Sequence, residues 1–364
     1  MSHLPSYNEC LRICQSSDNL FYETKFNVYG FKVSVFNYRT PTYQDFVNFN
    51  SFELRGLTFV FNLDGTLFKR YLSMEKFFNL NENESTQLES LKDKKIKSVY
   101  LKEDGSLINF IKLPNNVIVA KSKNSFESTQ AKLAQKIFDT DKFFRDNIIE
   151  MLEKDIIPTF ELVGPTNRVV VKYDNTELIL LRLRDNQTGD YLSIDDSGLN
   201  IPESFTFSLS DLLELKSKLE NVEGWIVEFI DGQKVKIKTD WYFSLHRIFT
   251  DYSNREDYLV NLILEQKIDD VLSVLDSGSE SKKFVESIIV KTNQAFQKID
   301  SEVSLLFSHY HGDRKDFAIK YKDHPYFPIV IKWIIGFEKN ELITDYIRKK
   351  TNKLESARKW LHEF

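Results

Sequence analysis

Only two cysteines, Cys10 and Cys14, occur in 364 residues, so no disulfide framework holds this fold together. Their i, i+4 spacing could place both on one face of a short N-terminal helix, as reduced thiols, because a metal site would need further ligands nearby and none stand there. Histidine is almost as rare, with six in the chain. His309 and His311 lie in a polar turn without companion ligands and read as solvated. Long apolar runs are missing as well: charge interrupts each one before it could span a bilayer, and no cleavable signal pattern opens the chain. A cytoplasmic location with no membrane partner is expected. The formal net charge of -5 gives no global attraction for polyanions, so any nucleic-acid site must be a local basic patch. Internal repeats and low-complexity tracts are absent.

What is present is a folded chain. Hydrophobic residues make up 41% and charged residues 28%, with 30 Phe and 16 Tyr, a composition that excludes disorder and suffices for two cores. From about residue 25 to 240 short alternating segments predict strands: 27–38, 52–62, 96–101, 107–113, 117–121, 159–163, 169–173, 177–184, 224–230 and 234–239. Asp104-Gly105, Pro114-Asn115-Asn116 and Asp231-Gly232 mark turns between them, and helices are predicted over 128–154 and 208–219. From about 255 the period becomes helical, over 256–275, 281–307, 327–337 and 341–362, with Ser277-Gly278-Ser279 between the first two. The fold class expected is α+β: a mostly antiparallel-sheet domain over 1–245, then an all-helical C-terminal domain over 246–364.

Three segments carry candidate chemistry. Lys102-Glu103-Asp104-Gly105-Ser106 stands between two predicted strands. Alone, an Asp-Gly there is most often a hairpin turn; as a reactive site, the lysine amine could carry a phosphoryl group as a phosphoramidate, provided it first loses its proton. Glu223-Gly224 begins a second segment that ends in Lys236-Val235-type alternation, Lys234-Val235-Lys236-Ile237-Lys238. A two-residue Asp231-Gly232 turn would pair Val227 with Lys236 and Trp225 with Lys238, placing Glu223, Trp225, Phe229 and the two lysines on one face; a solvated edge is the alternative. Third, Glu161 interrupts the apolar run Thr159 to Val163 and faces either solvent or a polar site. Arg55 and Lys121 are further basic positions on strands.

In order, Lys102 to Gly105, Glu161, Glu223-Gly224 and Lys236-x-Lys238 resemble the motifs of the covalent nucleotidyltransferase superfamily of ligases and capping enzymes. Leu107 stands where DNA ligases and capping enzymes usually carry arginine, and in this the chain resembles the bacteriophage RNA ligase 1 family. The likeness extends through Phe52 to Gly56, Lys76 to Asn79 and Lys236 to His246. It implies that Lys102 takes AMP from ATP, that Lys236 and Lys238 contact the α-phosphate, and that Glu161 holds the nucleotide sugar. Arg55 and Lys76 would contact the outgoing pyrophosphate and Tyr38 the ATP, while Asp104, Gly105, Lys121, Glu223, Gly224 and Tyr242 match positions required for activity. For metal the resemblance offers Asp269, where the surrounding helix matches poorly, and Glu223.

The same resemblance implies an ATP-dependent RNA ligase using Mg2+, or Mn2+ in its place, that joins a 5′-phosphate to a 3′-hydroxyl through lysyl-AMP and adenylylated RNA. Its partners would be RNA ends, in particular tRNA nicked in the anticodon loop, the protein acting as a monomer in the cytoplasm of an infected bacterium. The helical domain would select the RNA, with Arg348, Lys349, Lys350, Lys353, Arg358 and Lys359 as a basic face or merely a solvated one. A catalytically inactive RNA-binding relative is one alternative. A DNA ligase or capping-type enzyme is another, disfavoured by the missing arginine and by the lack of a β-rich pattern after residue 250.

Overall fold

A computed structural model describes residues 4–17, 20–167, 171–243, 255–274 and 280–364. The chain divides into two compact units, Met1–His246 and Arg247–Phe364. The first opens with α1 (Tyr7–Ser16), β1 (Phe21–Val28), β2 (Phe31–Tyr38), α2 (Tyr43–Phe49), β3 (Leu57–Phe61), β4 (Leu67–Tyr71), β5 (Phe78–Asn79) and α3 (Leu88–Leu91). Next come β6 (Ile96–Leu101), β7 (Ser106–Lys112), β8 (Ile118–Ser122), α4 (Thr129–Thr140), α5 (Lys142–Glu153) and β9 (Ile156–Val163). It closes with β10 (Glu177–Asp185), β11 (Tyr191–Leu192), β12 (Ser204–Phe205), α6 (Leu209–Lys218), β13 (Gly224–Phe229) and β14 (Lys234–Lys238).

The strands form three sheets, ordered β1-β2-β3-β4, β11-β10-β9-β7-β8 and β12-β6-β13-β14-β5. All pairings are antiparallel except the short one between β14 and β5. Each sheet has its own apolar face. Phe110 and Phe160 pack with Phe138 and Phe144 of α4 and α5, Phe36 and Phe59 with Cys10 of α1, and Trp225, Val227 and Ile237 with Leu212 of α6. Each fully buried aromatic or branched side chain contributes about 1.5–3 kcal/mol.

Several predicted elements are redrawn. The segment 27–38 is a hairpin, β1 and β2, turning through Tyr29 and Gly30, both at positive φ. The single helix over 128–154 is two, because Asp141 adopts extended φ/ψ and its side chain accepts a hydrogen bond from Phe144 N, capping α5. Lys172 and Tyr173 are not in a strand, and Val169 lies outside the described residues. In the second unit every described element is a helix. Gln266 at φ 58° divides the first predicted helix into Glu256–Leu264 and Ile268–Val274. The last divides into Lys339–Lys350 and Leu354–Leu361. Helix Arg314–Tyr321, capped by Asp313, was not anticipated. The boundary residues 244–254 and Ser277 to Ser279 lie outside the described residues. Among the described residues no helix is long and apolar enough to cross a membrane.

One buried ion pair ties the first two sheets. Arg184 on β10 donates from both terminal nitrogens to Glu53, at 2.8 and 2.9 Å, and also to the carbonyls of Ser73 and Gly189. Arg184→Met should destabilise the unit by about 3–5 kcal/mol in urea titrations, since Glu53 is left as an uncompensated buried charge. Replacing both, as Glu53→Leu with Arg184→Met, should recover much of that loss.

Candidate active site

The Lys102 motif is not a hairpin. β6 belongs to one sheet and β7 to another, and Lys102 to Gly105 is the bridge between them. The chain is pinned at both ends: Lys102 N donates to Gly224 O at 2.8 Å, extending the pairing of β6 with β13, while Gly105 N donates to Glu161 Oε1 at 3.0 Å. The motif lysine, the glutamate of β9 and the Glu223-Gly224 pair therefore meet because two sheets meet there. Both glycines are required by close approach. A Cβ on Gly105 would lie 2.2 Å from Leu162 O, and one on Gly224, at φ 148°, 2.0 Å from Ile237 O.

Glu223, almost fully buried, accepts from Lys102 Nζ on one oxygen and from Lys238 Nζ on the other, each at 2.8 Å. Burial opposes ionisation of this carboxyl, but Lys102 and Lys238 outweigh it and lower its pKa. The trio carries a net charge of about +1. Glu161 fares differently: desolvation, seconded by Glu223, pushes its pKa up to about 7 against the attraction of Lys102 and Arg55. Tyr242 ties the lysines to the motif, its hydroxyl 3.1 Å from Asp104 Oδ1 and its ring 4.8 Å from Lys238 Nζ.

The hairpin carrying the lysines has a register one residue away from the expected one. Its loop is Ile230-Asp231-Gly232, three residues with Gly232 at φ 87°, closed by Phe229 N to Gln233 O. Ile226 therefore opposes Lys236 and Gly224 opposes Lys238. The slip sends Trp225, Val227 and Phe229 into the core with Val235 and Ile237, not to the lysine face. The lysines still share one face, since their own alternation is unchanged. Lys238 reaches Glu223, whereas Lys236 Nζ lies 5.4 Å over the Phe77 ring.

Around this centre, Lys76 Nζ and Lys123 Nζ stand 5.7 and 5.0 Å from the Tyr38 ring, and Arg55 donates to Met74 O. Lys121 is buried, its ammonium donating to the carbonyls of Gly56, Ser122 and Lys123 at 3.2, 3.2 and 3.4 Å. It holds the chain beside Arg55 against β8. Sequence reasoning missed Lys123, and also Tyr173, whose hydroxyl donates to Glu103 Oε2 at 2.8 Å and accepts from Asp104 N at 2.9 Å. No spacing pattern marks Tyr173, which acts from a loop. Asp269 belongs to helix Ile268–Val274 of the second unit. His309 and His311 join no metal-binding group among the described residues.

A family profile described as RNA ligase matches residues 53–245, more than half of the chain. The chain belongs to the phage RNA ligase 1 family. A protein of Thermovibrio ammonificans, an RNA ligase by inferred name, is 29% identical over 280 residues, which are 74% of this chain and 72% of that one. Among solved structures, an archaeal ATP-dependent RNA ligase is similar at 13% identity and a TM-score of 0.49, over 87% of this chain and 86% of that one. A Naegleria gruberi RNA ligase is similar at 17% identity and a TM-score of 0.39, over 48% of this chain and 57% of that one. The family member described here thus spans little more than half of the Naegleria protein.

The Lys121 geometry gives a pH prediction. Burial lowers its pKa to about 7, whereas the unfolded lysine keeps its proton to about 10.4. Between these values the unfolded chain binds more protons, so this group makes stability rise with pH, by at most about 1.4 kcal/mol per unit. Urea titrations from pH 7 to 10 should show a rise in the wild type that is flatter in Lys121→Met.

Proposed function

We propose that this family member is an ATP-dependent RNA ligase that carries AMP on Lys102. The observation that supports this best is the shared carboxylate: Lys102 and Lys238 both bind Glu223 at 2.8 Å. An amine can attack phosphorus only after losing its proton. Here Lys102 can become neutral without stranding a buried charge, because Lys238 remains to balance Glu223. The surrounding cations attract the triphosphate and offset the charge that builds on its oxygens.

In the first step the Lys102 amine attacks the α-phosphate, forming an N–P bond as the bond to pyrophosphate breaks. Lys238 and Lys236 neutralise the α-phosphate, Tyr38 contacts the ATP, and Arg55 and Lys76 receive the leaving pyrophosphate. Glu161 holds the nucleotide sugar, and its hydrogen bond to Gly105 N fixes the loop that carries the nucleophile. Asp104 and Tyr242 keep that loop in register with β14. An RNA 5′-phosphate then takes the AMP from Lys102, and a 3′-hydroxyl displaces AMP to seal the strand.

Among the described residues no three metal-ligating side chains gather. Mg2+, or Mn2+ in its place, would be held mainly by substrate phosphates with one or two carboxylates, Glu223 in the cluster and Asp269 of the second unit. The metal would supply neutralisation of phosphate charge. We assign RNA selection, including tRNA nicked in the anticodon loop, to the helical unit of a cytoplasmic monomer. Its Arg348, Lys349, Lys350, Lys353, Arg358 and Lys359 are all exposed, though they are divided between two helices, with Arg348 and Arg358 paired to Asp345 and Glu256.

Incubated with ATP and Mg2+, the wild-type protein should gain one AMP by intact mass and Lys102→Ala none. Lys238→Ala should slow the gain at least about 100-fold, as expected for a lost charge at a developing oxyanion. Equal labelling of Lys102→Ala and wild type would overturn the assignment.

A further inference from the structure

A cavity of about 540 Å³ opens in the first unit beside β5 and the β13–β14 loop. Tyr43, Phe52 and Phe77 supply aromatic surface, and Lys76, Lys94 and Gln233 supply polar groups. Lys76 aside, none of these residues has a part in the reaction described above. Lys94 is held in the wall by Asp231 at 2.5 Å and by Gln233 Oε1 at 2.6 Å.

Its chemistry suits neither a lipid nor a polyphosphate. Ammonium groups in the wall are wrong for an acyl chain. Glu75 and Asp231, each already paired to a lysine of the wall, would repel a triphosphate but leave enough positive charge for a single phosphodiester. Aromatic faces beside such a charge are what a nucleobase with its phosphate needs, and they accept any base. The chain around Lys94 strengthens this. Lys92, Lys94, Lys95 and Lys97 crowd six residues with one Asp93 among them; Lys94 and Lys97 are paired to Asp231 and Glu228, and Lys92 and Lys95 are exposed. This is the local basic patch that a chain of net charge -5 requires. β14 links the cavity to the reacting lysines: Lys234 lines the cavity, and Lys238, four residues on, is about 13 Å away along the strand.

We infer that this cavity is a subsite for a nucleotide of single-stranded RNA, on one of the two strands that the site joins. The inference rests on the ligase reading, and two separate measurements keep the two apart. Ser90→Trp fills the cavity from an exposed wall position, and Lys92→Glu with Lys95→Glu reverses the charge of the adjoining patch. Affinity for a fluorescent single-stranded oligoribonucleotide, read by anisotropy, should fall at least about tenfold in each. In sealing of pre-adenylylated RNA the KM for one strand should rise similarly, which identifies the occupant as donor or acceptor, while transfer of AMP from ATP to the protein stays at the wild-type rate. Unchanged RNA affinity and KM would overturn the inference. So would a raised KM for ATP with normal RNA binding, since the cavity would then serve the triphosphate. RNA binding that depends on the cavity in a protein that takes no AMP would leave the subsite standing and remove the ligase reading.

Discussion

One carboxylate held between two ammonium groups organises this site. Glu223 would be intolerable in its buried position alone, and Lys238, equally buried, would be so without Glu223. Together they make a neutral pair that leaves Lys102 as the spare cation. The arrangement also explains why the three residues come from separate stretches: Glu223 precedes β13, Lys238 ends β14 and Lys102 follows β6, three adjacent strands of one sheet.

The second requirement is that the Lys102 loop bridge two sheets. Glu161, on β9 of the neighbouring sheet, binds the amide of Gly105, so the lysine end of the motif belongs to one sheet and the glycine end to the other. The Arg184–Glu53 pair and the Lys121 ammonium perform a related task one layer away, holding the sheet that carries Tyr38 against the sheet of Glu161.

Much of this was legible in the sequence, and the failures have physical causes. Period-two alternation located most strands, and the change to helical period after residue 255 located the C-terminal helices. The order of the charged motifs singled out Lys102, Glu161, Glu223 and Lys238, which the structure brings together. Alternation cannot tell whether two successive strands pair with each other, so the Lys102 loop read equally well as a hairpin. Nor does an Asp-Gly signal reveal loop length: counting two residues where there are three assigned Trp225 and Phe229 to the wrong face. Asp141 reads as an ordinary helix residue until its side chain is seen capping α5. Tyr173 could not have been found, because its role depends on a loop folding back over Glu103 and Asp104.

The three-residue loop at the tip of β13 and β14 sets more than a turn. Side chains of a strand change sides with every residue, so the length of that loop decides which edge groups of β13 lie beside each lysine of β14. Within it Ile230 is exposed and open to exchange, while a residue gained or lost would displace Lys238 from Gly224 and uncouple it from Glu223. In the history of such a chain, point changes at Ile230 would pass almost unnoticed, while insertions or deletions beside it would be purged.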